Sequence, residues 1–159
     1  MTPGILAAKK AGVPFTVHEY DHDPSAPSFG MEAAEKLGVP PERVFKTLVV
    51  RLDGREPAVA VVPVNSMLSM KAVAKAAGAK KAEMAPQAVV ERSTGYVLGG
   101  VSPLGQKKRL RTFIDVSAQG FETIFVSAGK RGLDMEIAPG DLRAVCGATF
   151  APLQDRSGG

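Results

Sequence analysis

The chain has 159 residues, of which 45% are hydrophobic and 23% charged, and a net charge of +4. This is the size and balance of one globular domain able to bury its own core, and no apolar run approaches the roughly 20 residues of a membrane-spanning helix. A single cysteine, Cys146, excludes an internal disulfide, and the first ten residues lack a charged stretch followed by a long apolar run, so a cytoplasmic protein without a secretory signal is expected. In chain order, Thr2-Pro3 reads as a helix start, with Thr as cap and Pro at the first helical position, and that helix runs to Gly12. Phe15 to Tyr20 alternates as a strand, and Asp21 to Ser28, with Pro24 and Pro27, is a loop. A helix from Gly30 to Leu37 stops at Gly38 and Pro40. Val44 to Leu52 and Ala58 to Val64 are β-rich runs around Asp53-Gly54, a hairpin signal. Ser69 caps a helix with Val73, Ala76 and Ala77 at apolar positions, and Gly78 ends it. Pro86 to Glu91 is a short helix. Thr112 to Val116, Thr123 to Ser127 and Leu133 to Ile137 read as strands, and Pro139 to Val145 as a last helix with Asp141 in its first turn. There is no repeat, low-complexity tract or linker. One domain over residues 1–155 is expected, with a disordered tail from Arg156 to Gly159. Irregularly interspersed helices and long β runs, without βαβ alternation, predict an α+β fold on a mixed, mainly antiparallel sheet.

Two glycine segments stand out: Ser93-Thr94-Gly95-Tyr96-Val97-Leu98-Gly99-Gly100-Val101-Ser102-Pro103-Leu104-Gly105-Gln106-Lys107-Lys108, and Ser127-Ala128-Gly129-Lys130-Arg131-Gly132-Leu133-Asp134. Such turns can aim successive main-chain N–H groups at an anion or a developing oxyanion, and equally they can be plain turns between strands. Neither matches a Walker A or dinucleotide pattern. Lys46 interrupts an apolar run, sharing a strand face with Val44, Leu48 and Val50, so it either snorkels or contacts an anionic ligand. Lys107, Lys108, Arg109 and Arg111, followed by Lys130 and Arg131, form a basic cluster that is either a solvated face or a phosphate grip. With no Trp, the chain has no aromatic ladder for stacking successive bases. The usual nucleophile arrangements have little support in the sequence. There is no Gly-x-Ser-x-Gly elbow, His18 and His22 have no paired ligand spacing for a metal, and Cys146 reads as a buried apolar residue.

The two glycine segments, taken with Phe45-Lys46-Thr47-Leu48-Val49-Val50 and Tyr20-Asp21-His22-Asp23-Pro24, closely resemble the YbaK-type Cys-tRNA(Pro) deacylases. The resemblance runs from Thr2-Pro3 to about Ala151 and is weakest at Asn65, Ser66 and Met67. It implies the editing-domain fold, a mixed mainly antiparallel sheet or barrel-like core flanked by helices. It also implies a trans-editing hydrolase that removes cysteine from mischarged tRNA(Pro), and from tRNA(Cys), in partnership with prolyl-tRNA synthetase and with neither metal nor other cofactor. On this resemblance Lys46 orients the tRNA 3′ end, and Gly99, Gly100 and Val101 supply backbone N–H groups to the carbonyl oxygen. Tyr20, Phe29, Ser127 and Asp134 line the pocket, and Asp134 receives the substrate ammonium. The substrate thiol would be the nucleophile, which fits the shortage of protein nucleophiles. Two alternatives stay open: a deacylase for alanine or another small amino acid that activates water, and a non-catalytic module binding tRNA or a synthetase.

Overall fold

The computed structural model describes residues 1–26 and 28–156. Pro27 of the predicted loop, and the predicted tail beyond Arg156, lie outside the described residues. Polar caps set the helix starts, Thr2 and Ser69 as read from the sequence and Ser28 in addition. Thr2 Oγ1 accepts the Ile5 N–H at 3.2 Å to open α1 (Pro3–Ala11), Ser28 caps α2 (Phe29–Leu37), and Ser69 accepts the Ala72 N–H at 3.0 Å to open α3 (Met70–Ala77). The remaining helices are α4 (Gln87–Thr94) and α5 (Pro139–Cys146). Helix α2 thus starts one residue before the predicted Gly30. Helix α4 runs past the predicted Glu91, because Thr94 Oγ1 bonds back to the Val90 carbonyl at 2.8 Å and extends the last turn.

Eight strands are described: β1 (Phe15–Glu19), β2 (Phe45–Leu52), β3 (Glu56–Pro63), β4 (Ala82–Met84), β5 (Arg111–Asp115), β6 (Ile124–Lys130), β7 (Leu133–Ile137) and β8 (Thr149–Ala151). They form a three-stranded antiparallel sheet in the order β1-β7-β6 and a five-stranded mixed sheet in the order β4-β2-β3-β5-β8. In the larger sheet β3–β5 and β5–β8 are parallel and the rest antiparallel. Val44, just before β2, bridges to Phe125 of β6 and joins the two sheets, and no closed barrel forms among the described residues. The fold is α+β, as predicted. The three-residue strands β4 and β8 are additions, too short to show a period-two pattern. Strand β6 continues beyond the predicted Ser127 to Lys130 with irregular pairing, so the second glycine segment is a strand end and a tight turn.

Strand β3 explains why its sequence is apolar without alternation. Val59 and Val61 face a core shared by α1, both sheets and α5, which includes Ile5, Phe45, Ile114, Ile124, Met135 and Leu142. Ala58, Ala60 and Val62 face a second core with Val50, Val73, Phe113 and Leu153. Both faces are covered, so each buried Val or Ile contributes roughly 1.5–3 kcal/mol from removal from water. This rigid double-sided centre supports β2, and β2 forms the floor of the site.

Candidate active site

A cavity of about 450 Å³ lies where β2, the first turn of α2, the turn between β6 and β7, and the loop after α4 converge. Tyr20, Phe29, Lys46, Gly99, Val101, Ser127 and Asp134 all line it, drawn from segments far apart in sequence. Gly100, predicted with them, packs behind, close to the Lys130 backbone. Gly30 lets α2 approach the cavity, since a Cβ there would overlap the Val64 side chain.

Asp134 sits on β7, the central strand of the smaller sheet, opposite His18 on one side and Ser127 on the other. It is 6% exposed, and its carboxylate has no hydrogen-bond donor among the described residues. Burial pushes this carboxyl up to about 7, with His18 pulling slightly the other way. Burial, and then the Asp134 charge, push the Tyr20 phenol up to about 12, so it remains a neutral hydroxyl near pH 7. Lys46 is half-buried and donates to the Ser66 carbonyl at 2.7 Å; burial lowers its pKa. The lysine therefore does not extend freely into water, and it forms no ion pair among the described residues. Its ammonium is held at the cavity by one neutral carbonyl and keeps other donors available.

The loop after α4 closes on itself. Lys107 and Lys108 N–H groups donate to the Thr94 and Ser93 carbonyls, and the buried Tyr96 hydroxyl donates to Leu104 O at 2.6 Å as an internal pillar. The Gly100 N–H is used within the loop, donating to Val97 O at 2.9 Å. The N–H groups of Gly99 and Val101 have no acceptor among the described residues, so these two are the free donors of the predicted three.

Neither histidine lies beside a nucleophile. His18 Nε2 is 2.9 Å from Glu136, and His22 Nδ1 is 2.8 Å from Glu32. Cys146 lies outside the cavity, donates to Pro103 O at 3.2 Å, and has its thiol pushed up to about 12 by burial. Among the described residues no three His, Cys, Asp or Glu side chains gather as a metal site, and no helix is long and apolar enough to cross a membrane. The basic cluster divides: Arg111 pairs with Glu56 at 2.9 Å, Lys107 to Arg109 are exposed, and Lys130 and Arg131 reach the cavity mouth. Two further groups line the cavity, Thr47 from the Phe45–Val50 run and Arg131 from the basic cluster. Thr47 Oγ1 is buried without a partner beside the cavity, and Arg131 stacks on Phe29. Thr47 lay within the quoted Phe45–Val50 run, whereas the Arg131 contact has no local sequence signal.

The sequence model of the aminoacyl-tRNA editing domain family matches residues 23–145, which include every lining residue named above except Tyr20. The chain belongs to this family. Among its relatives is an Enterococcus faecalis protein provisionally named Cys-tRNA(Pro)/Cys-tRNA(Cys) deacylase EbsC, 44% identical over 120 residues that cover 76% of this chain and 73% of that one. The proline–tRNA ligase of Geobacter metallireducens is 31% identical over 64% of this chain but only 17% of its own length, so the editing domain corresponds to one segment of that longer enzyme. Among solved structures, one provisionally described as a trans-editing enzyme for prolyl-tRNA synthetase superposes with a TM-score of 0.79 at 20% identity, over 98% of this chain and 99% of that one. The hypothetical protein APE2540 superposes at 0.85 with 22% identity, over 97% and 100%. At these identities the two structures establish the editing-domain fold.

Proposed function

We propose that this editing domain is an aminoacyl-tRNA deacylase that hydrolyses the ester of mischarged Cys-tRNA(Pro), acting in trans and in partnership with prolyl-tRNA synthetase. The observation that carries the reading is the buried Asp134, without a hydrogen-bond donor among the described residues, in a small cavity lined by Gly99 and Val101, whose N–H groups have no acceptor there, and by no paired nucleophile among the described residues. A carboxylate in that position suits the α-ammonium of an aminoacyl ester, with the Tyr20 hydroxyl and Ser127 beside it. The ammonium would place a full positive charge beside Asp134 and would hold it ionised.

With the amino group at Asp134, the substrate thiolate attacks its own ester carbonyl. The S–C bond forms, the oxyanion is met by the Gly99 and Val101 N–H groups, and the C–O bond breaks. The electron pair leaves on the ribose oxygen, which takes up a proton, and water then opens the cyclic thioester to free cysteine. Lys46 orients the 3′ end of the tRNA. The name of the 44% identical Enterococcus faecalis protein supports cysteine as the amino acid, and kinship with a segment of proline–tRNA ligases supports the choice of partner. The test is single-turnover deacylation of Cys-, Ser- and Ala-tRNA carrying the same tRNA body. Ser-tRNA should react far more slowly, because an alcohol is a much weaker nucleophile than a thiol at neutral pH. Equal rates for cysteine and serine would overturn the thiol mechanism, selective loss of alanine would reassign the substrate, and no loss from any would leave only a binding module.

A further inference from the structure

Arg131 lies in the turn between β6 and β7, exposed at the cavity mouth, and has no acidic partner among the described residues. Its guanidinium carbon is 3.6 Å from the centroid of the Phe29 ring, at the first residue of α2. From the same group Nη2 makes a long hydrogen bond, 3.4 Å, to the Leu98 carbonyl. The guanidinium also occupies the space beside Gly99, where a Cβ would lie 2.6 Å from Nη2. Gly99 has a φ of +93°, so both the backbone angle and the close approach require glycine. One planar cation therefore touches both rims of the cavity: the start of α2 and the loop that carries a free N–H. Apart from Arg131, the 97–100 segment is hydrogen-bonded, among the described residues, by the Leu98 N–H to Glu91, at 3.3 Å, and by its internal Gly100 to Val97 bond.

We infer that Arg131 is a positioning residue: it brackets Phe29 to the 97–100 loop and thereby fixes the orientation of the Gly99 peptide at the cavity rim. This rests on the deacylase reading for its consequence, but not for its geometry. The chemistry selects arginine. Only a guanidinium offers a flat face to an aromatic ring while its edge donates to a carbonyl; an ammonium at the end of a lysine can do one or the other. A donor aimed at an oxyanion acts through its direction, so loosening the loop should slow the chemical step more than it weakens tRNA binding.

The test uses Arg131→Lys and Arg131→Gln in the full chain, with Phe29→Leu as a variant that removes the ring and keeps the arginine. The first readout, on protein without tRNA, is amide hydrogen exchange. The Leu98 and Gly100 N–H groups, the bonded amides of residues 97–101, should exchange faster in all three variants while β3 remains protected as in the parent. The second is single-turnover deacylation of Cys-tRNA as a function of enzyme concentration. The maximal rate should fall roughly tenfold or more in both arginine variants, with little change in the half-saturating concentration, and Arg131→Lys should not rescue it. Unchanged exchange at Leu98 and Gly100 would overturn the inference. So would a loss confined to the half-saturating concentration, which would assign Arg131 to tRNA binding instead. If the parent protein proves inert on Cys-tRNA while the variants show the local loosening, the bracket stands and the substrate reading falls.

Discussion

Asp134 shows at single-residue scale how a buried carboxyl opposes stability. Unfolded, its carboxyl releases the proton near the ordinary 3.8; folded, burial makes it hold the proton until about 7. Between those values the folded protein binds more protons than the unfolded chain, so stability falls as pH rises through that window. The cost is complete above pH 7 and amounts to at most about 4 kcal/mol. Asp134→Asn should therefore be more stable than the parent in urea unfolding at pH 8, with the gap closing toward pH 4. The same variant should lose deacylation, because an amide cannot neutralise the substrate ammonium. A variant no more stable at pH 8 would show that the charge is already compensated. Lys46 makes a milder case. Its ammonium is held by one carbonyl, so Lys46→Met should leave the fold intact and cost roughly 10–100-fold in turnover, the range for a charge-assisted hydrogen bond of about 1.5–3 kcal/mol. Unchanged turnover would remove Lys46 from the site.

At the scale of elements, α2 carries Phe29 to the cavity rim, and its seat is set by one missing side chain. A methyl group at Gly30 would overlap Val64, which follows β3. The helix also grips its preceding loop: buried Glu32 receives His22 Nδ1 at 2.8 Å and the Asp23 N–H at 2.7 Å, while His22 meets the Phe29 ring edge-on at 5.5 Å. Gly30→Ala should push this unit outward, costing about 1–3 kcal/mol as an overpacked contact and lowering activity through Phe29. Adding Val64→Ala to Gly30→Ala should restore activity, because it vacates the space the new methyl needs. Activity that stays low in the double variant, with stability recovered, would separate the helix seat from the site.

For the whole molecule, the larger sheet is tied to the C-terminal segment by one buried carboxylate. Asp115, 2% exposed at the end of β5, accepts the Leu153 N–H at 2.8 Å, Gln154 Nε2 at 2.9 Å and the Ser117 N–H at 3.2 Å. That segment in turn accepts the Ser69 N–H at Leu153 O, 2.7 Å away, and so fixes the start of α3. Burial acts to raise the Asp115 carboxyl, but its hydrogen bonds outweigh burial and hold it below the usual range. Its contribution to stability is present above the ordinary value of 3.8 and is lost as pH falls through the lower folded one. Asp115→Ala leaves several donors unpaired and should cost about 2–4 kcal/mol in urea unfolding at pH 7, with the deficit narrowing in acid. A smaller deficit that does not change with pH would mean that water takes the place of the carboxylate.

The sequence by itself determined the local grammar. Thr2, Ser28 and Ser69 accept N–H groups from their own first turns, and glycines end the helices, because these interactions span three or four residues and need no partner elsewhere. It also determined β2, β3 and β7, whose apolar runs are long enough to show a pattern. The glycine segments and Lys46 were legible as candidates for one site through resemblance, since that reading depends on residue type and short spacing. Tertiary structure decided what involves distant partners. It paired the three-residue strands β4 and β8 with neighbours that supply their hydrogen bonds, and it carried β6 beyond Ser127. It brought seven of the eight predicted residues to one cavity, and it turned the Gly100 N–H inward to Val97. It also placed Arg131 on Phe29, more than a hundred residues earlier in the chain. Burial of Asp134, which shifts its proton affinity, likewise depends on the packing of three strands around it, and no local pattern of residues encodes that environment.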